Sequence, residues 1–134
     1  MPVRNSIHIA AALIEDGNGR LLLVRKTGTP WFMQAGGKIE DGEDASTALR
    51  RELEEEIGLS ISDEQFHYLG RFSASAANEE NFIVDAEIFH IRTLHVPVPH
   101  AEIEEALWAS HAEAEALPLA PLTRGHILPL FQAL

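Results

Sequence analysis

The chain has no cysteine, only one tyrosine and two tryptophans, and only 10 basic residues against 21 acidic ones. Without cysteine, neither a disulfide scaffold, nor a thiolate metal site, nor a cysteine nucleophile is available. The net charge of -11 argues against non-specific binding to a nucleic acid polymer or an anionic membrane, because both attract basic surfaces. An acidic protein still binds a phosphorylated small molecule where metal ions supply positive charge.

Long hydrophobic runs are also missing near the N-terminus. The apolar stretch 7–14 is too short to span a bilayer. The segment around it lacks the flanks and the cleavage site of a signal peptide. We therefore expect a cytoplasmic protein. A length of 134 residues suits one domain, residues 1–134, with one hydrophobic core.

The order of the predicted elements indicates an α/β fold. Strands are predicted over 7–14, 20–25, 66–75, 82–91 and 106–109. Helices are predicted over 44–57, 112–117 and 124–134. The turn 15–19 joins the first two strands as a hairpin, Gly58 suits a left-handed helix cap, and Pro129 bends the last helix. Strands on both sides of a central helix favour an α/β or α+β sandwich.

The helix 44–57 has an unusual concentration of acidic residues. Glu52, Glu55 and Glu56 stand at positions i, i+3 and i+4, which places their carboxylates on one helix face. A neighbouring apolar stripe consists of Leu49, Leu53 and Ile57. Three carboxylates on one face suit a hard divalent cation such as Mg²⁺, which prefers oxygen ligands. Glutamates at this spacing also occur on solvated helices, so spacing alone leaves both interpretations open.

A longer pattern decides between them. The chain matches the Nudix box, G-x5-E-x7-R-E-U-x-E-E-x-G-U with U apolar, at every specified position. Those positions are Gly37, Glu43, Arg51, Glu52, Leu53, Glu55, Glu56, Gly58 and Leu59. A chance match is on the order of 1 in 10⁷ at average residue frequencies. The stretches LLLVRK, WFMQAGGK and AEIEEALW also resemble this family, so the sequence is similar to MutT-like Nudix hydrolases with no subfamily assigned.

The resemblance implies a fold, an activity and a set of ligands. The implied fold is an α/β/α sandwich around a central mixed sheet, and the implied reaction is hydrolysis of a nucleoside diphosphate linked to another moiety. Mg²⁺, with Mn²⁺ as a substitute, is the implied cofactor. Its implied ligands are Glu52, Glu55, Glu56 and the carbonyl of Gly36. One of the glutamates would activate water, and the sequence leaves open which one.

The resemblance also implies supporting residues. Glu43 and Arg51 would form a charge pair that orients the loop onto the helix, and Gly37 would allow close approach of the backbone. MutT-like members often add a catalytic glutamate six residues before a late tryptophan. Counting back from Trp108 gives Glu102. The alternatives for this role are Glu79, Glu80, Glu104 and Glu105.

Substrate contacts are implied at the ends of the preceding strands. Arg25, or Lys26 beside it, stands where related proteins place a phosphate-contacting arginine, and Lys38 follows the glycine pair. Trp31 is a candidate for stacking on a base. Phe32 suits either stacking or the core, and we expect the core.

Subfamily features are mostly absent, which limits the prediction of the substrate. Ala35 stands where many relatives carry proline, and the marks of coenzyme A, NADH, ADP-ribose and diadenosine polyphosphate hydrolases are missing. A nucleoside triphosphate or a modified deoxynucleoside triphosphate is therefore favoured, bound by a monomer or a homodimer. The alternative function is a Nudix-fold nucleotide sensor that binds without turnover.

Overall fold

The computed structural model describes residues 5–134, so residues 1–4 of the predicted N-terminal segment lie outside the described part. The strands are β1 (Asn5–Glu15), β2 (Arg20–Lys26), β3 (Phe32–Met33), β4 (Gly36–Lys38), β5 (His67–Ser75), β6 (Phe82–Arg92) and β7 (Ile103–Ser110). The helices are α1 (Ala45–Ile57), α2 (His111–Glu115) and α3 (Leu128–Gln132). All five predicted strands are present, and β7 begins at Ile103 rather than at residue 106.

The sheet is mixed, with the order β3-β2-β1-β6-β5. Strand β1 pairs in parallel with the whole of β6, from Asn5 opposite Phe82 to Glu15 opposite Arg92. Its other edge pairs antiparallel with β4, while β7 lies antiparallel to β2. The predicted hairpin between β1 and β2 is confirmed only at its tip, Glu15 opposite Leu21, because β4 occupies the same edge of β1 farther along.

The sequences of β1 and β2 are continuously apolar because helices cover both faces of this part of the sheet. One core layer, under α1, includes Ala10, Ala12, Ile14, Leu49, Leu53 and Ile57. The other, under α2 and α3, includes Ala11, Leu13, Leu21, Ile127 and Phe131. The predicted α/β/α sandwich with a central mixed sheet is therefore confirmed.

Helix α1 is capped at both ends, by Asp44 before its first residue and by the predicted cap Gly58 after its last. The Asp44 side chain accepts a hydrogen bond from the Thr47 backbone N–H at 2.8 Å. Gly58 ends the helix in the left-handed conformation, with φ of 67°. The stripe of Leu49, Leu53 and Ile57 is fully buried, which fixes the rotation of the helix and turns Glu52 and Glu56 towards β4.

The C-terminal segment departs from the predicted helix bent at Pro129. A π-helical turn, Thr123–Ile127, precedes α3, and the Leu128 N–H donates to the carbonyl of Thr123. Pro129 then lies in the first turn of α3, where a missing N–H costs little. The shorter α2 is capped by Ser110. Within residues 5–134, no helix is long and apolar enough to cross a membrane.

Candidate active site

A cavity of about 470 Å³ opens where β4 meets α1. Its charged lining residues are Lys26, Lys38, Glu40, Glu52, Glu79 and Glu102. Its apolar lining residues include Ile7, Ile9, Ala11, Val84 and Leu122. These apolar residues lie on the sheet face that α2 and α3 cover, or directly beside that layer, whereas Glu52 belongs to α1. We call the lining residues Lys26, Lys38, Glu40, Glu52 and Glu102 the charged side of the cavity and its apolar residues the apolar side, with Glu79 on the loop before β6. A ligand with a charged part and an apolar part suits such a lining.

Glu56 is a buried ionisable residue that does not line the cavity but is bonded to Gly36, which does. Glu56 is only 3% exposed, and its Oε1 accepts a hydrogen bond from the Gly36 N–H at 2.9 Å. Burial raises the pKa of the Glu56 carboxyl to about 8. The nearby charges of Glu52 and Glu102 also raise this pKa, whereas the Gly36 hydrogen bond and the charge of Lys26 lower it. Burial likewise raises the pKa of Glu52.

Arg51 connects the acidic helix to the loop and strand before it. Its Nε and Nη2 donate two hydrogen bonds of 2.9 Å to the two carboxylate oxygens of Glu43, a bidentate pair. These bonds hold the pKa of the Glu43 carboxyl below its usual range. Arg51 also donates to the Lys38 carbonyl at 3.2 Å and to Glu52 Oε1 at 2.9 Å. One guanidinium therefore orients the loop, β4 and a carboxylate of the cavity.

The two glycines of β4 are required for two different reasons. A Cβ on Gly36 would stand 2.2 Å from the backbone oxygen of Ala10, and its φ of +153° lies where side chains are strained. A Cβ on Gly37 would stand 2.4 Å from Cδ of Glu52. Gly36 therefore permits strand pairing with β1, whereas Gly37 leaves the space that the Glu52 carboxylate occupies.

The described residues fit a divalent cation without forming a complete site for one. Glu52 and Glu56 offer hard oxygen donors, and the buried Glu56 carboxyl lacks a sufficient counter-charge. Glu55 is more exposed, with a side chain that is 53% exposed, and its carboxylate lies 3.9 Å from Arg51 Nη1, the same atom that contacts Glu52. Across residues 5–134, no three acidic or histidine side chains are grouped closely enough to hold a metal ion. Glu52 and Glu55 both approach Arg51 Nη1, whereas Glu56 bonds to the Gly36 N–H, so the use of all three helix carboxylates as metal ligands stays a prediction.

Comparisons with known proteins agree with this geometry. The sequence model of the NUDIX domain matches residues 6–131. The chain belongs to the Nudix family. A relative from Escherichia coli (strain K12), named CTP pyrophosphohydrolase, is 34% identical over 137 aligned positions, covering 95% of this chain and 90% of the relative. The predicted enzyme class, a Nudix pyrophosphohydrolase, is confirmed.

Solved structures show the same Nudix fold. The solution structure of the E. coli ORF135 protein superposes with a TM-score of 0.70 at 28% identity, covering 99% of this chain and 92% of the other. The crystal structure of the MutT NUDIX hydrolase from Burkholderia pseudomallei gives 0.78 at 22% identity, covering 93% and 97%. Nudix hydrolases generally use divalent metal ions, which agrees with the donor set of Glu52 and Glu56.

Glu102 reaches the cavity of this Nudix protein from a turn before β7. Its carboxylate lies 3.4 Å from Lys26 Nζ, and its carbonyl accepts a hydrogen bond from the Thr27 N–H at 2.8 Å. The preceding Ala101 has a left-handed φ of 55°, and the His100 N–H donates to the carbonyl of Glu56 at 2.9 Å. The turn is thereby fixed to both β2 and α1, and it holds Glu102 beside Glu52 and Glu56.

The alternatives to Glu102 fall into two groups. Glu79, on the loop between β5 and β6, lines the same cavity, whereas Glu80 lies outside it. Glu104 accepts a hydrogen bond from the Thr27 hydroxyl, and Glu105 pairs with Arg25 at 3.3 Å, both away from the cavity. Glu79 is therefore the one competitor of Glu102 that shares its location among these four.

Two residues predicted to contact the substrate, Arg25 and Trp31, do not line this cavity. Arg25 bonds to Glu105 and to the Thr29 carbonyl, with its guanidinium 5.9 Å from the centre of the Phe32 ring. The pairing of β2 with β7 shifts register after Arg25, and Lys26 lines the cavity instead.

The neighbouring residues 31–33 and Lys38 differ in whether they line the cavity. Trp31 is half-buried outside the cavity, and Met33 lines it. Phe32 is in the core, as expected. Lys38 lines the cavity.

Sequence reasoning missed one pair of cavity residues, Gln34 and Thr123. Both are buried, both line the cavity, and the Thr123 hydroxyl donates to Gln34 Oε1 at 2.7 Å. Gln34 Nε2 has no hydrogen-bond partner among residues 5–134, and a buried unpaired donor costs about 1–3 kcal/mol. The sequence signal at Gln34 was a polar glutamine inside the apolar stretch 31–35.

Proposed function

We propose that this Nudix pyrophosphohydrolase depends on Mg²⁺, with Mn²⁺ as a substitute, and hydrolyses a pyrophosphate bond in a nucleoside triphosphate or another nucleoside diphosphate derivative. The observation that carries the proposal is the pair of helix carboxylates Glu52 and Glu56: Glu52 lines the charged side of a cavity whose other side is apolar, and the buried Glu56 is bonded to the cavity residue Gly36. The name of the E. coli relative, CTP pyrophosphohydrolase, supports a nucleoside triphosphate.

The metal would be held by Glu52, Glu55, Glu56 and the carbonyl of Gly36. When bound, it neutralises charge on the phosphate oxygens and lowers the pKa of the attacking water. Arg51 keeps Glu52 oriented through its bond to Oε1. The Gly36 N–H does the same for Glu56.

We assign the role of proton acceptor to Glu102, which lines the cavity as Glu79 does. Its side chain is 63% exposed and pairs with Lys26 at 3.4 Å, and among residues 5–134 it has no ion pair with Arg51. A carboxylate in this situation is free to accept the proton of an attacking water at Oε1 or Oε2. The remaining assignments are Lys26 and Lys38 as phosphate contacts, because both line the cavity.

The ligand is a small molecule rather than a nucleic acid polymer. A polymer needs a basic groove, and the net charge of this chain is -11. Two lysines beside a charged cavity are enough to contact one phosphate chain.

A substrate panel tests the proposal. Ribonucleoside and deoxyribonucleoside triphosphates, oxidised deoxynucleotides, nucleotide sugars, ADP-ribose and dinucleoside polyphosphates would be incubated with Mg²⁺ or Mn²⁺ and resolved by chromatography. We expect a nucleoside monophosphate from the preferred substrate, and a loss of at least about 100-fold in kcat/KM for Glu52→Gln. Glu54→Gln is the matched control, since Glu54 is exposed and bonds to Ser60. Absence of product from every compound overturns the proposal, and tight binding without product would identify a sensor.

A further inference from the structure

The Gln34–Thr123 pair joins two parts of the chain at the apolar side of the cavity. Gln34 follows β3, and Thr123 begins the π-helical turn before α3. The hydroxyl of Thr123 donates a hydrogen bond to Gln34 Oε1 and so orients the amide. Gln34 Nε2 is then a donor without an acceptor among residues 5–134. Gln34 is only 6% exposed, so bulk water does not reach this amide freely.

The surroundings of the pair contrast with the charged side. Ile9, Ala11, Val84 and Leu122 supply an apolar wall that belongs to the layer under α2 and α3. A phosphate chain fits poorly against such a wall, whereas a flat aromatic ring with polar edge atoms fits it well. Every nucleobase carries such atoms, either a carbonyl oxygen or an unprotonated ring nitrogen.

We propose that Gln34 is a specificity-determining residue that donates a hydrogen bond from Nε2 to a carbonyl oxygen or ring nitrogen of the substrate's base, with Thr123 as its positioning residue. The inference rests on the proposed function, because it assumes that the phosphate chain lies at the charged side. The π-helical turn has a direct role in this arrangement, since it places Thr123 where its hydroxyl reaches Gln34. Irregular turns of this kind occur frequently at functional sites.

Kinetics with several bases provides the first test. Gln34→Leu removes the amide at similar volume, and we expect kcat/KM for the preferred nucleoside triphosphate to fall about 10- to 100-fold, with a smaller loss for the other bases. Gln132→Leu, an identical change at an exposed position of α3, is the matched control. Equal losses for all bases, or no loss, would overturn the proposal, because a structural role lowers every rate alike.

Thr123→Val separates orientation from the donor itself. The variant keeps the shape of the side chain and removes the hydroxyl that fixes Gln34 Oε1. The amide is then free to present either its oxygen or its nitrogen to the base. We expect the ratio of kcat/KM between the best and the poorer bases to shrink by about tenfold, with KM changing more than kcat. An unchanged ratio would contradict the positioning role of Thr123.

A binding measurement keeps this inference separate from turnover. In ¹⁵N-labelled protein, the Gln34 side-chain NH₂ signals, assigned by their loss in Gln34→Leu, would be followed while a nucleoside monophosphate is added without divalent metal. We expect these signals to shift with the nucleotide and to stay in place with ribose 5-phosphate, which lacks the base. A shift in a protein that hydrolyses no compound would reject the proposed reaction and retain base recognition. No shift with any nucleotide that binds, as judged by other amide signals, would overturn the inference.

Discussion

The backbone of Gly37 and the carboxylate of Glu52 occupy adjoining space that no side chain at position 37 can enter, since a Cβ there would stand 2.4 Å from Glu52 Cδ. We predict that Gly37→Ala displaces this flexible carboxylate, lowers kcat/KM about 100-fold and changes the free energy of unfolding by less than about 1 kcal/mol. Steady-state kinetics and urea denaturation on one preparation would measure both quantities.

The matched variant is Gly36→Ala. Its Cβ would meet the rigid backbone of Ala10 and Ala11 rather than a side-chain end. We expect a loss of about 3 kcal/mol or more in stability. Equal loss of stability in the two variants would contradict the separate roles assigned to the two glycines.

Replacement of Arg51 by lysine tests the connection between the loop and the helix. A lysine cannot form two parallel hydrogen bonds to Glu43 while also bonding to the Lys38 carbonyl and Glu52. We predict a loss of about 1–3 kcal/mol in stability and about tenfold in kcat/KM for Arg51→Lys. Arg50→Lys is the control, because Arg50 pairs with the exposed Asp63 and we expect a change below about 1 kcal/mol. Similar effects at both positions would be incompatible with this role of Arg51.

Glu56→Gln tests the counter-charge argument through stability rather than turnover. The neutral amide keeps an acceptor for the Gly36 N–H and removes a carboxyl whose burial disfavours its charge. Without divalent metal we therefore expect the variant to be at least as stable as the unmodified protein. Thermal denaturation with Mg²⁺ at about 100 times its Kd should stabilise the unmodified protein and Glu54→Gln by about 2.7 kcal/mol, and Glu56→Gln by much less. Equal stabilisation of all three would place the metal elsewhere.

Glu15 gives a prediction about acid stability away from the cavity. Its Oε2 lies 2.7 Å from His90 Nε2 and accepts a hydrogen bond from Arg92 Nε at 2.8 Å. Burial opposes the charge, but the bonds from Arg92, His90 and the Gly17 N–H outweigh it and hold the pKa of the Glu15 carboxyl below its usual 4.5. The stabilisation is therefore complete above about pH 4.5 and is lost as the pH falls through the lowered pKa in the folded state.

We predict that Glu15→Gln costs about 1–3 kcal/mol at pH 7 and flattens the decline of stability below pH 4.5. Urea denaturation between pH 3 and pH 7 would measure both effects. Glu64→Gln, at an exposed turn residue, is the control. Parallel stability curves for Glu15→Gln and the unmodified protein below pH 4.5 would refute the prediction.

The parts of the site that the sequence predicts are those set by local periodicity. The spacing of Glu52 and Glu56, together with the caps at Asp44 and Gly58, lies within one helix, so a short segment contains the necessary information. The position of Arg25 outside the cavity could not be predicted from the local sequence pattern. The register shift after Arg25 depends on β7, which lies far along the chain.

Gln34 and Thr123 were missed for the same kind of reason. Each is an ordinary polar residue in its own segment, and their relationship exists only because β3 and the C-terminal segment meet in the fold. The helix carboxylates also differ in burial, from the buried Glu56 to the exposed Glu55, and a helical wheel does not give that difference.

The parallel pairing of β1 with β6 has a consequence for synthesis. Asn5 is paired with Phe82 and Glu15 with Arg92, so the longest strand pairing in the sheet cannot be completed until residue 92 has left the ribosome. Until then the apolar residues of β1 have only the short β4 and the tip of β2 as strand partners. Pairing strands that are so far apart along the chain is slow, because a long loop must close first. Until they pair, exposed apolar strands bind chaperones or aggregate. We therefore expect β1 to be the main segment at risk of aggregation in nascent chains stalled before β6.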